Sequence, residues 1–172
     1  EFTRLLPVPR GDGLAQLLNG TGGVAAAAAR PAWELALQRL FDRQWGQLRQ
    51  AAHDRGISLL GDIPLFVSGG SADTWAQPEL FCLDAEGRTT RRAGVPPDYF
   101  SPEGQLWGNP HYAWDAHRAE GFAWWKARLR RCLDQVDRVR IDHFRGLSAA
   151  WAVAPGAETA VDGEWVPAPG RE

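Results

Sequence analysis

Residues 139–146 read Val-Arg-Ile-Asp-His-Phe-Arg-Gly, and their alternation places two charged groups together. In a strand, alternate side chains share a face, so Arg140 and Asp142 project from one side while Val139 and Ile141 project from the other. The run ends at Asp142 and passes into a loop containing Gly146, which sets a carboxylate at the C-terminal end of the strand. A fixed positive charge beside a carboxylate favours its ionised form. That form can attack carbon or stabilise developing positive charge. The same two residues would also serve as a structural ion pair closing a strand, and their types alone leave both uses open. A second carboxylate, Asp62, follows a short apolar run at 57–60.

Helices and turns must position these groups. Pro31 opens a stretch in which Trp33, Leu37, Leu40, Phe41, Trp45, Leu48 and Ala52 recur every three or four residues, the signature of an amphipathic helix. Gly56 is a natural stop for it. The 57–60 run has strand length, and Pro64 cannot continue an interior ladder. A second helix is expected over 122–136, with Phe122, Trp125, Leu129, Cys132, Leu133 and Val136 on its buried side, followed by the 139–142 strand.

Between the two strands, residues 63–120 are dense in Gly and Pro, with a short helix expected near 72–77. A structureless loop of that length is unusual in a compact domain, so the stretch reads as an inserted, loop-rich subdomain. Residues 1–30, rich in Gly, Pro and Ala, read as a poorly ordered lead-in. Helix, strand, insertion, helix, strand is the order of a parallel α/β domain. An open doubly wound sheet and a (β/α)₈ barrel both satisfy it.

Four short motifs occur in sequence: Asp-Ile-Pro-Leu-Phe-Val at 62–67, Gly-Val-Pro-Pro-Asp-Tyr-Phe-Ser at 94–101, Gln-Leu-Trp-Gly-Asn-Pro at 105–110 and Arg-Ile-Asp-His-Phe-Arg-Gly at 140–146. In order and spacing they resemble the 4-α-glucanotransferase family, also called amylomaltase or disproportionating enzyme. The resemblance runs from about residue 33 to residue 170. It implies a (β/α)₈ barrel, of which 172 residues can supply only part, since such a barrel takes ~250. It further implies retaining transfer of α-1,4-glucan segments between maltodextrins through a covalent glycosyl-enzyme.

By that resemblance Asp142 is the nucleophile, Arg140 orients it, and Asp62 has a supporting role near the pair or a substrate hydroxyl. His143 is read either as a donor to a sugar hydroxyl or as a structural residue. Asp98, Tyr99 and Phe100 form a loop over the glucan groove, or alternatively an aromatic plug anchoring the insertion. Trp107 and Asn109 are acceptor-side contacts, although Asn109 before Pro110 can equally be a turn former. The family's general acid/base glutamate and its second aspartate belong to later strands. Glu158, Glu164 and Glu172 do not sit in the matching motif, so the isolated chain is expected to be inactive. Competing readings are an α-amylase-type retaining hydrolase and a non-catalytic glucan-binding protein.

Bulk properties narrow the classes. A net charge of −2, with 44% hydrophobic and 23% charged residues, gives no electrostatic footprint for nucleic acid or an anionic membrane. The tight basic clusters, Arg88/Arg91/Arg92 and Arg128/Arg130/Arg131, read as solvated faces. Cys82 and Cys132 lack metal-ligand spacing, and no Rossmann or P-loop glycine pattern is present, so no cofactor or metal is expected. No apolar run nears the ~20 residues of a membrane span, and a cytoplasmic location is expected. Nine tryptophans suit apolar sugar faces as well as cores. The lack of any methionine points to a piece of a longer product.

Overall fold

The computed structural model describes residues 24–170, with side chains from residue 33 onward. The reading of residues 1–23 as a lead-in lies outside the described residues. The chain divides into two compact units, one ending at Leu59 and one starting at Leu60.

Helix α1 (Val24–His53) makes up the described part of the first unit. It starts seven residues before the expected Pro31 because the Ala25–Ala29 run, built of the strongest helix former, extends it backwards. Residues 24–30 are therefore helix, a correction to the expected lead-in. Phe41 and Trp45, one turn apart, stack with centroids 5.9 Å apart. The helix closes as the sequence suggests. Gly56 adopts φ 70°, its N–H bonds His53 O, and Ile57 N–H reaches back to Ala52 O, the paired bonds of a Schellman cap.

The second unit holds a parallel pair, β1 (Leu60–Ile63) and β4 (Arg138–Ile141). Strand β1 falls three residues later than the 57–60 run predicts, so Asp62 lies within the strand rather than beyond it. Between these strands come α2 (Ala72–Ala76), a 3₁₀ turn (Pro78–Leu80), β2 (Arg92–Val95), β3 (Gln105–Pro110), α3 (Trp114–Ala119) and α4 (Ala123–Gln135). After β4 follow a 3₁₀ turn (Phe144–Leu147), β5 (Ala149–Val153) and β6 (Gly163–Pro167). Parallel strands joined through a helical crossover, with a separate antiparallel sheet, make an α/β fold.

The antiparallel sheet has the order β3-β2-β5-β6. This changes the expected insertion. Strand β2 pairs with β3 on one side and with β5 on the other, and β5 carries β6, both supplied by residues well past 120. The subdomain is therefore completed by chain from both sides of β4.

An aromatic core joins the elements. Tyr112 is 3% exposed and lies within 6 Å, centroid to centroid, of Phe66, Phe81, Trp114, His117, Trp124 and Trp125. Helix α4 enters this cluster through Trp124 and Trp125 at its N-terminal turn, both buried. Leu133, expected on the buried side, is 51% exposed. Trp125 and Val136 are buried and Phe122, Leu129 and Cys132 half-buried, so the expected stripe holds except at Leu133.

Candidate active site

The parallel register places Asp62 directly opposite Arg140. Asp142 is the first residue after β4, and its N–H donates to Ile63 O at 3.0 Å, extending the ladder by one step. The carboxylate is thus fixed to the strand end through its own backbone. From that arrangement the Arg140 guanidinium forks between both acids: Nη1 donates to Asp62 Oδ2 at 2.6 Å and Nη2 to Asp142 Oδ1 at 2.5 Å. The two carboxylates and their hydrogen bonds push the Arg140 pKa up, with Asp142 the larger contributor, so its charge is permanent.

Beside this triad lies an open cleft of about 330 Å³, lined by Pro64, Leu65, Phe66, Trp107, Asn109, Asp142 and His143. The route by which β3 delivers two of these is local. Arg92 pairs with Pro110 and Gly94 with Leu106, so Trp107, Gly108 and Asn109 lie opposite the single residue Ala93. Such a bulge bends the strand and re-aims its side chains. Gly108 supplies the positive φ, 82°, that it requires. Asn109 then donates from Nδ2 to Val67 O at 2.8 Å. It holds the cleft wall rather than forming a turn.

His143 carries φ 53°, a left-handed conformation uncommon for a side chain of this size. Its ring meets the Trp107 indole edge to face, centroids 4.9 Å apart, and its buried Nε2 has no hydrogen-bond partner. A buried polar atom left in this way beside a cleft is suited to a ligand hydroxyl. Burial lowers the His143 pKa, Arg145 lowers it further, and Asp142 opposes the shift. Gly146, two residues beyond Phe144, leaves no room for a Cβ: one built there would collide with Leu65 Cδ2 and approach His143 Cδ2 to 2.8 Å.

Asp98, Tyr99 and Phe100 do not line this cleft. Asp98 Oδ1 accepts from the N–H groups of Phe100 (2.9 Å) and Ser101 (2.8 Å), an Asx turn that presents the two aromatics to solvent at 94% and 90% exposure. That exposure rules out the plug reading. The arginine clusters also differ from expectation. Arg128 turns inward to the carbonyls of Pro64 and Leu65, and Arg92 donates to Ala154 O and Ala157 O. The other four, Arg88, Arg91, Arg130 and Arg131, are exposed as expected.

His111 and His117, like His143, are pushed to lower pKa mainly by burial. The unfolded chain, titrating near the ordinary 6.5, therefore takes up protons first. Stability from these groups is complete above about pH 6.5 and is lost as pH falls below it. The thermal midpoint is expected to be lower at about pH 5 than at pH 7 by circular dichroism. An equal or higher midpoint at the acid end would contradict the burial argument.

Among the described residues, no group of three or more His, Cys, Asp or Glu is placed to hold a metal ion, and no helix is long and apolar enough to cross a membrane.

Two carboxylates bridged by one arginine, Asp62 within β1 and Asp142 just past β4, lie beside an aromatic-walled cleft in an α/β fold, an arrangement that suits an enzyme of that class. Residues 25–172 match the model of the 4-alpha-glucanotransferase family, and the chain belongs to that family. It is 54% identical over 137 residues to the 4-alpha-glucanotransferase of Synechocystis, covering 79% of this chain and 27% of that protein. With the Thermus thermophilus 4-alpha-glucanotransferase it shares 51% identity over 148 residues, 86% of this chain and 30% of that one. Among solved structures, an amylomaltase from Streptococcus agalactiae in complex with acarbose superposes with a TM-score of 0.77 at 41% identity, covering 87% of this chain and 31% of that one. The chain spans between a quarter and a third of the length of these relatives.

Proposed function

We propose that this chain is the nucleophile-bearing segment of a 4-α-glucanotransferase that moves α-1,4-glucan units between maltodextrins with retention of configuration. The observation that carries the reading is Asp142, hydrogen-bonded to Arg140 and fixed to Ile63 O, opening onto a cleft walled by Trp107, Asn109 and His143. Asp142 attacks C1 of the donor sugar as the glycosidic bond breaks, forming a glycosyl-enzyme; the leaving oxygen takes a proton from a general acid. A sugar 4-hydroxyl then gives up its proton to the same group and displaces Asp142. Arg140 holds the nucleophile in line and ties it to Asp62. Because Asp62 already accepts from that guanidinium, it supports the pair rather than donating a proton.

Trp107 offers its ring, and His143 Nε2 its unused hydrogen-bonding capacity, to a sugar in the cleft. Asn109 braces the wall that carries them. Tyr99 and Phe100, fully exposed on their turn, are suited to close over bound glucan and limit water at the intermediate. The parallel pair β1 and β4 is read as two strands of a (β/α)₈ barrel, with the antiparallel subdomain rising from its catalytic edge. Soluble maltodextrins in the cytoplasm are the proposed substrates.

No carboxyl group free of Arg140 lines the cleft among the described residues, and general acid–base help is worth ~10²–10⁴-fold. The 172-residue chain alone is accordingly expected to be inactive on maltotriose. A complete enzyme, in which residues 25–172 replace the matched segment of the Thermus thermophilus relative, is expected to yield glucose and longer dextrins together. Turnover by the isolated chain would overturn the first expectation. Shortened products alone from the chimera would indicate a hydrolase, and binding without turnover a non-catalytic glucan-binding protein.

A further inference from the structure

Residues 64–67 leave β1 without a strand partner, yet three of them line the cleft. Their carbonyls are held from outside. Arg128 Nη2 donates to Pro64 O at 2.7 Å, and Nη1 donates to Leu65 O at 2.9 Å and to Tyr112 Oη at 3.2 Å. Tyr112 Oη itself donates to Leu65 O at 2.7 Å, and Asn109 takes Val67 O. The Arg128 guanidinium lies over two indoles, with Cζ 5.3 Å from the Trp124 centroid and 5.2 Å from that of Trp125. Leu65, 2% exposed, closes on Gly146, and the ring of His143, next to Asp142, closes on the same glycine.

We infer that Arg128 is a positioning residue for transfer: its fork fixes the Pro64–Leu65 backbone, and through the packing of Leu65 on Gly146, where the His143 ring also rests, sets the cleft floor against the nucleophile. The inference rests on the transferase reading above. Only a planar, multiply donating cation meets two successive carbonyls and a phenol while staying close to both indoles. An ammonium on a lysine stem covers the same rings but reaches fewer acceptors. The ground-state sugar contact from Trp107 does not pass through Arg128, whereas the alignment of the cleft floor with the nucleophile does, so its loss falls on kcat more than on KM.

The test compares Arg128→Ala and Arg128→Lys in the complete chimeric enzyme, reading kcat and KM for maltotriose disproportionation well below the thermal midpoint, and the site labelled by a fluorinated glucosyl donor. Arg128→Ala is expected to lose ~10²-fold in kcat, the scale of a small misplacement near reacting atoms, with KM little changed. Arg128→Lys, which keeps the packing and folds, is expected to lose an intermediate amount. Both still label Asp142, more slowly. If Arg128→Ala does not fold, Arg128→Lys decides. Variants with a lowered thermal midpoint but parental kcat, or with a loss confined to KM, overturn the inference alone. A parent chimera that neither transfers nor labels Asp142 overturns the transferase reading and this inference with it.

Discussion

Asp142→Asn in the complete enzyme is expected to reduce transfer from maltotriose by ~10⁴-fold or more, the scale seen when a covalent nucleophile is removed. The substitution is nearly isosteric. Its amide oxygen can still accept from Arg140 Nη2, and its backbone N–H still reaches Ile63 O. The cleft should therefore keep its shape and its maltodextrin affinity, measured by calorimetry. What is lost is the oxygen that bonds to carbon. A loss of less than about tenfold would mean that Asp142 is not bonded to substrate during turnover.

Arg140→Lys is expected to cost ~10²–10³-fold in kcat, comparable to deleting one fixed donor from an electrostatically organised site. A guanidinium reaches two acids on neighbouring strands at once. An ammonium is one point charge and cannot hold both in line. Stability should move little, because the Arg140 side chain is 55% exposed and solvent screens such ion pairs. Activity falling with the thermal midpoint unchanged is the expected pattern in steady-state assays and calorimetry. A large drop in the midpoint with activity retained would make the pair purely structural.

The Arg140–Asp142 pair was legible where local alternation encodes it. Val139-Arg140-Ile141-Asp142 reads directly as two charges on one face, and β4 lies within one residue of that reading. The short motifs led to the family that residues 25–172 match. What stayed hidden depends on partners distant in sequence. That Asp62 faces Arg140 follows from the register of two strands 78 residues apart, and no local pattern carries a register.

Strand β2 was obscured because Gly94 and the following Pro96-Pro97 look like turn chemistry. In the fold Gly94 is needed where Gln105 O approaches too closely for a side chain. The bulge at 107–109 likewise looks like a turn, although it aims Trp107 and Asn109 into the cleft. Arg128 sits at a helical position that periodicity assigns to solvent. A usable signal was present: tryptophans three and four residues earlier on the same helix form a shelf for a guanidinium. Its acceptors come from residues 64 and 65, which no periodicity on α4 could reveal.

The central claim is tested most directly by incubating the complete chimeric enzyme with a fluorinated glucosyl donor and locating the covalent adduct by peptide mass spectrometry. One glucosyl increment is expected on the peptide bearing Asp142, and none in Asp142→Asn. An adduct on a different side chain, or turnover of the donor with no adduct on Asp142, would contradict it.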